Sequence, residues 1–129
     1  MLMDPISDFI IRIQNASRAK LSVVSLPYSN MKEAIAEVLE QEGYITGIDK
    51  KAKKDGVLSV TLAYKDGMPV VQGVKRISKP SRRLYVGVRD IKAVKRGYGA
   101  VVLSTPSGVM SGKQAKIKNV GGEVLFEIW

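Results

Sequence analysis

Residues 100–129 read AVVLSTPSGVMSGKQAKIKNVGGEVLFEIW, and their succession of apolar runs and turn residues decides the fold of the second half. Ala100 to Ser104 is a strong strand that closes in a turn over Thr105 to Gly108, where Ser, Thr, Pro and Gly each favour turn geometry. A short helix from about Ser111 to Lys118 follows. Asn119-Val120-Gly121-Gly122 then turns the chain into a last strand, Glu123 to Trp129. Upstream, Leu84 to Val88 reads as a strand and Asp90 to Arg96 as a short helix stopped by Gly97. Ser78-Lys79-Pro80-Ser81 is a turn and the expected boundary of this part, because composition shifts there from balanced to basic.

The first half has a different rhythm. Asp4-Pro5 marks a helix start, and Ile6, Phe9, Ile10 and Ile13 recur at helical spacing, which leaves Arg12 and Asn15 off the buried stripe. Val23 to Leu26 is a short strand. Ser29 is placed to cap a second helix whose apolar stripe is Met31, Ile35, Val38 and Leu39, and Gly43 stops it. Tyr44 to Ile48 and Val57 to Tyr64 read as strands joined by the loop Lys50 to Gly56. Asp66-Gly67 turns into a third strand, Val70 to Ile77. The expected fold is therefore α+β in two small subdomains. Residues 1–77 form an α/β unit in the order α-β-α-β-β-β, and residues 78–129 a mostly β unit with short helices.

The chain has 129 residues, 21 Lys plus Arg against 12 Asp plus Glu, no His, no Cys and a net charge of +9. Without imidazole or thiol, Cys- or His-ligated metals, Cys nucleophiles and His-based acid/base catalysis lose their usual residues. No disulfide can form, and no metal or other cofactor is expected. The longest apolar runs, such as Ala100 to Leu103, fall far short of the roughly 20 residues of a membrane span. The start carries no basic patch followed by an apolar run, so a secretory signal is not expected. These features together suit a soluble intracellular protein without a membrane partner.

The charge is concentrated. Residues 1–74 carry nine basic and nine acidic side chains, residues 75–118 carry twelve basic ones against Asp90 alone, and residues 119–129 add only Glu123 and Glu127. Twelve cations with one counter-charge repel one another unless an anion compensates them, which favours a polyanionic partner. Nucleic acid fits better than a membrane, because no single long basic amphipathic helix gathers the cations. Tyr85 and Tyr98 are interleaved among Arg82, Arg83 and Arg96, the mixture that looped RNA uses for stacking and phosphate neutralisation, although a tyrosine at a strand position is more often core. The hydroxyls of Ser104, Thr105 and Ser107 suit phosphate, ribose or base edges, or simply build the turn. With no His, a nucleophilic Ser104 or Ser107 would need a Lys base such as Lys113, and no nucleophile elbow surrounds either.

With those motifs in view, the sequence resembles the bacterial small-ribosomal-subunit protein eight family. The resemblance is carried by Gly99, Val102-Leu103-Ser104-Thr105, Gly108-Val109-Met110 and Ala115-Lys116, then by Asn119 through Val124 and the aromatic end at Trp129. Upstream, Asp4-Pro5-Ile6, Asp8, Arg12-Ile13, Asn15, Pro27 with Ser29, Val38-Leu39, Glu42 to Ile45, and Ser78-Lys79-Pro80 with Arg83 and Tyr85 fit the same pattern. The resemblance implies a structural, non-catalytic ribosomal protein of the cytoplasm. It would be a primary binder of the central domain of 16S ribosomal RNA, helping to assemble the platform of the 30S subunit beside small-subunit proteins five and twelve.

The family's main RNA contact maps onto Ser104, Thr105, Ser107, Gly108, Gly122 and Glu123, with Tyr85 nearby, and its N-terminal contact onto Arg12, Asn15 and Ser29. Lys79, Arg83 and Lys113 are the expected phosphate contacts. Ile11, Gln14 and Asn30 stand where Thr, a basic residue and Lys are usual, Pro106 replaces a frequent Ser, and Ser81-Arg82 replaces a frequent Gly-Leu. Binding is therefore expected to lean on residues 79–123.

Overall fold

The computed structural model describes residues 4–129; Met1 to Met3, with which the first expected subdomain begins, lie outside the described residues. The chain packs as two compact units, one of Pro5–Gln72 and one of Gly73–Trp129 together with Asp4.

In the first unit, helix α1 (Pro5–Arg18) and helix α2 (Asn30–Gln41) pack on a three-stranded antiparallel sheet. The sheet consists of β1 (Val23–Pro27), β2 (Ile45–Asp49) and β3 (Val57–Leu62), in the order β1-β3-β2. Phe9, Ile10 and Ile13 of α1 and Ile35 and Leu39 of α2 are buried, as are Val24, Leu26, Leu58, Val60 and Leu62 of the sheet. The alternate strand positions carry Ser25 and Ser59, whose hydroxyls meet at 3.1 Å. One face is thus apolar and the other polar, the usual solution for an antiparallel sheet covered on one side.

Ser29 caps α2 by accepting a hydrogen bond from the Lys32 backbone N–H at 3.2 Å. Ser29→Ala is expected to cost about 1 kcal/mol of stability, read from the denaturant midpoint. The expected apolar stripe shifts at its start. Met31 is exposed, and Lys32 is buried in its stead, because its ammonium donates to the Pro27 carbonyl while its methylene stem fills the face.

The expected third strand does not form as one piece. Asp66 and Gly67 take positive φ values of 53° and 78°, a two-residue hairpin turn between β4 (Tyr64–Lys65) and β5 (Met68–Pro69). The chain then leaves this ladder, and β6 (Val74–Arg76) pairs with the last strand in the second unit. Gly73 interrupts the run, since both its N–H and its C=O bond to the backbone of Trp129 at 3.0 Å.

The second unit is a five-stranded antiparallel sheet. Its central strands are β8 (Ala100–Thr105) and β10 (Gly122–Ile128); β9 (Gly108–Ser111) pairs with β8, and β6 and β7 (Tyr85–Val86) share the other edge of β10. Helix α3 (Gly112–Lys118) packs on β8 and β9, and Ile91, Val94, Val101, Leu103, Met110, Ala115 and Val124 form the core on that face.

Three expectations are corrected here. The strand over Leu84 to Val88 is only two residues long. Beyond Glu123 the edge of β10 passes to other partners, with the Ser78 N–H bonded to the Val124 carbonyl and the Val124 N–H to the Leu84 carbonyl. The helix over Asp90 to Arg96 is two separate 3-10 turns, Val88–Asp90 and Lys95–Gly97. Ile91 is extended and both Ile91 and Val94 bury in the core, which pulls the intervening chain straight. Gly108–Ser111, read as turn and helix start, is a strand, because the loop between β8 and β9 is only Pro106-Ser107. Among the described residues, no helix is long and apolar enough to cross a membrane.

Candidate nucleic-acid interface

Register in the second sheet brings the sequence candidates into one line. Glu123 on β10 lies opposite Tyr85 on β7 and opposite Ser104 on β8, and Ser104 lies opposite Val109 on β9. Directly opposed residues of antiparallel strands point to the same face. The next row, Val124, Leu103 and Met110, belongs to the core, so Tyr85, Glu123, Ser104 and Val109 form a row on the opposite face. Tyr85 is 65% exposed. Arg83 reaches over Glu123, with Nη1 at 3.6 Å from the carboxylate. The Ser104 hydroxyl is half-buried and makes no hydrogen bond within the described residues.

Two glycines let the strands approach closely enough to build this row. A Cβ on Gly122 would sit 2.2 Å from the Ser104 carbonyl oxygen, and one on Gly121 would sit 2.3 Å from that of Val86. Gly122 is therefore a packing requirement of the β8–β10 ladder. The turn beside it is self-contained. The Thr105 hydroxyl accepts from the Ser107 N–H at 3.1 Å and donates to the Gly108 carbonyl at 2.8 Å, while Gly108 adopts φ +114°. That leaves the exposed Ser107 hydroxyl on the turn tip.

Arg83 and Tyr85 point to the row, whereas Arg82 and Leu84, alternating with them, line a cleft with Lys75, Arg76, Ile77 and Lys79. Arg76 is committed there: its guanidinium pairs with Asp4 at 3.0 Å and also donates to the Leu125 carbonyl. Lys75, Lys79 and Arg82 have no carboxylate partner among the described residues. Lys79 and Arg82 are held by reciprocal backbone hydrogen bonds of 2.9 and 3.0 Å, which fix the turn between them. Lys113 is exposed in the first turn of α3, which Ser111 caps. Among the described residues, no group of His, Cys, Asp or Glu could hold a metal ion. A row with aromatic, carboxylate and hydroxyl groups beside a cluster of cations is suited to the polar edges and phosphates of a nucleic acid.

A family model described as Ribosomal protein S8 matches residues 4–129. The chain belongs to that family. A small ribosomal subunit protein uS8 of Nitratidesulfovibrio vulgaris (strain DSM 19637 / Miyazaki F) is 50% identical over the whole of both chains, and one of Oleidesulfovibrio alaskensis is 52% identical over the same extent. A protein of the same description from Mycoplasmopsis agalactiae is 48% identical over 99% of this chain and 98% of its own.

For this member of the ribosomal protein S8 family, the N-terminal candidates belong to the other unit. Arg12 is occupied: Nε pairs with Asp8 at 3.1 Å and Nη1 donates to the Ser25 carbonyl at 3.3 Å. Asn15 lines a groove with Arg12, Leu21, Val23 and Ser25, and Ser29 is the helix cap already described. Lys53, in the loop after β2, is also engaged. A hydrogen bond that its ammonium donates to Tyr28, and then the charge of Glu33, hold its pKa above the usual lysine value. Sequence reasoning missed Val109 and the grouping of Lys75 and Arg82 with Lys79. The first needs the unread strand β9, and the second needs β6 to join the second sheet.

Proposed function

We propose that this chain is a structural, non-catalytic protein of the small ribosomal subunit in the cytoplasm, and that it binds the central domain of 16S ribosomal RNA and helps to assemble the platform of the 30S subunit. Small-subunit proteins five and twelve are its proposed neighbours. The observation that carries the reading is the row Tyr85–Glu123–Ser104, aligned by strand register beside cations that form no salt bridge among the described residues. In this reading Ser104, Ser107 and Glu123 address 2′-hydroxyls and base edges, and Tyr85 offers a stacking surface. Lys79, Arg83 and Lys113 neutralise phosphates. Thr105, Gly108 and Gly122 act by shaping the turn and the strand approach. Arg12, Asn15 and Ser29 add a lesser contact from the first unit.

The test compares wild type with the double variant Ser104→Ala, Ser107→Ala in filter binding to a central-domain transcript and to an unrelated RNA duplex. The double variant is expected to lose about tenfold on the transcript, the worth of one to two hydrogen bonds, and little on the duplex. Equal losses on both would refute the specificity assigned to the hydroxyls. Footprinting on total small-subunit RNA is expected to protect one internal helix.

A further inference from the structure

Tyr98 is 89% exposed, more than any other large apolar or aromatic side chain among the described residues. A single exposed aromatic is unremarkable on a protein surface, but this one is presented by a tightly tied loop. Ile91 and Val94 are sunk in the core on its approach. The Gly97 and Gly99 N–H groups both bond to the Val94 carbonyl, at 2.9 and 3.0 Å, and the Tyr98 N–H bonds to the Lys95 carbonyl at 3.1 Å. Gly99 has no room for a side chain, since a Cβ there would lie 2.7 Å from the Ile128 carbonyl oxygen. The tyrosine is thus displayed by a backbone with little freedom left to lose on binding, which is the condition for an economical contact.

Its surroundings select the partner. Arg89, Lys92 and Lys95 are exposed on the same loop, against the single acid Asp90. Lys95 places its ammonium 4.6 Å from the centre of the Trp129 ring, which keeps that charge beside the base of the turn. A flat exposed ring with cations around it complements an unpaired nucleobase with its phosphates, whereas an apolar protein surface would leave those cations desolvated and unpaired.

We propose that Tyr98 is a second RNA contact, a platform on which one unpaired base stacks while Arg89, Lys92 and Lys95 neutralise adjacent phosphates. It is distinct from the Tyr85–Glu123–Ser104 row. The loop enters β8 at Ala100, and Ser104 is four steps along that strand, about 13 Å away at the usual rise. The inference rests on the RNA-binding reading above and adds to it a single-stranded nucleotide at a defined place.

The experiment titrates a 16S central-domain transcript with the full chain, followed by filter retention and by the fluorescence of Trp129, the sole tryptophan. Tyr98→Ala is expected to bind about tenfold more weakly, within the range for one lost base–aromatic stack. Tyr98→Phe should bind as wild type, because the ring and not the hydroxyl makes the contact. Chemical probing should find one unpaired base protected by wild type and Tyr98→Phe and exposed with Tyr98→Ala. Wild-type affinity in Tyr98→Ala, or equal losses in the Ala and Phe variants, would overturn the inference. So would unchanged RNA affinity accompanied by lost association with another subunit protein. If wild type itself fails to retain the transcript, the RNA-binding reading falls too. If wild type binds and only the Ser104, Ser107 variant responds, the Tyr98 contact alone is wrong.

Discussion

Gly122→Ala is expected to destabilise the protein by about 3 kcal/mol, the upper part of the usual range for an added methyl in a filled site. The added Cβ would meet the Ser104 carbonyl oxygen at 2.2 Å, the Ser104 carbonyl carbon at 2.9 Å and the Thr105 Cα at 3.0 Å. All three are backbone atoms of β8, so no rotamer change relieves the contact. The ladder itself has to open by roughly 1 Å to restore van der Waals distance. For a chain of this size the loss corresponds to a melting temperature lowered by about 10 °C.

Gly121→Ala serves as the contrast. Its Cβ meets Val86 and Gly87 at the edge of the sheet, where β7 has only two paired residues and can yield, so a smaller loss is expected. RNA affinity should fall with Gly122→Ala even well below its melting point, because Glu123 and Ser104 face each other across the opened ladder. Melting within 2 °C of wild type, with RNA affinity nonetheless lost, would mean that Gly122 meets the RNA directly and that the close strand approach is not its reason for being glycine.

That contrast also marks what the sequence reveals and what it hides. Helices α1 and α2 and the strand β3 are legible because apolar residues recur at 3.6 or 2 over several positions and end at Gly43 or Asp66-Gly67. The Ser29 cap is legible from its place one turn before the stripe. Residues 84–97 mislead, since short apolar runs there answer to tertiary demands. Ile91 and Val94 are spaced like one face of a helix, but each is taken separately into the core across an extended segment. Strand β9 is hidden because its alternation is two residues deep. Glu123, Ser104 and Tyr85 are identifiable singly by chemistry and by family resemblance. Their alignment is a matter of strand register, which local sequence cannot supply when the three residues are 19 or more positions apart. The role of Gly122 is hidden for the same reason: a turn glycine and a close-approach glycine look alike until the neighbouring strand is known.

Replacing Lys75, Lys79 and Arg82 together by Ala is expected to reduce the slope of log affinity against log salt by about 2 to 3, since each phosphate contact contributes roughly 0.7 to 0.9. The same counterion term, evaluated near 0.1 M salt, makes the triple variant about a hundredfold or more weaker, the largest effect on binding among the substitutions considered. The choice of these three follows from bookkeeping of partners rather than from total charge. Arg76 lines the same cleft but is neutralised by Asp4, and Arg83 is shared with Glu123. Arg12, occupied by Asp8 and the Ser25 carbonyl, should change the slope by less than about 1 when replaced by Ala.

The measurement is filter binding of the central-domain transcript across a salt series, with wild type, the triple variant and Arg12→Ala compared at matched ionic strength. Stability should change little, because the like-charge repulsion relieved in the cleft is offset by the loss of Lys75 opposite Glu127 on β10. If the triple variant keeps the wild-type slope, the RNA phosphates do not enter this cleft. The excess of positive charge between residues 75 and 118 would then have to act through Lys113 and the cations of α3 and the Tyr98 loop. If Arg12→Ala instead produces the larger change, the first unit carries the electrostatic contact, and its pairing with Asp8 is exchanged for phosphate on binding.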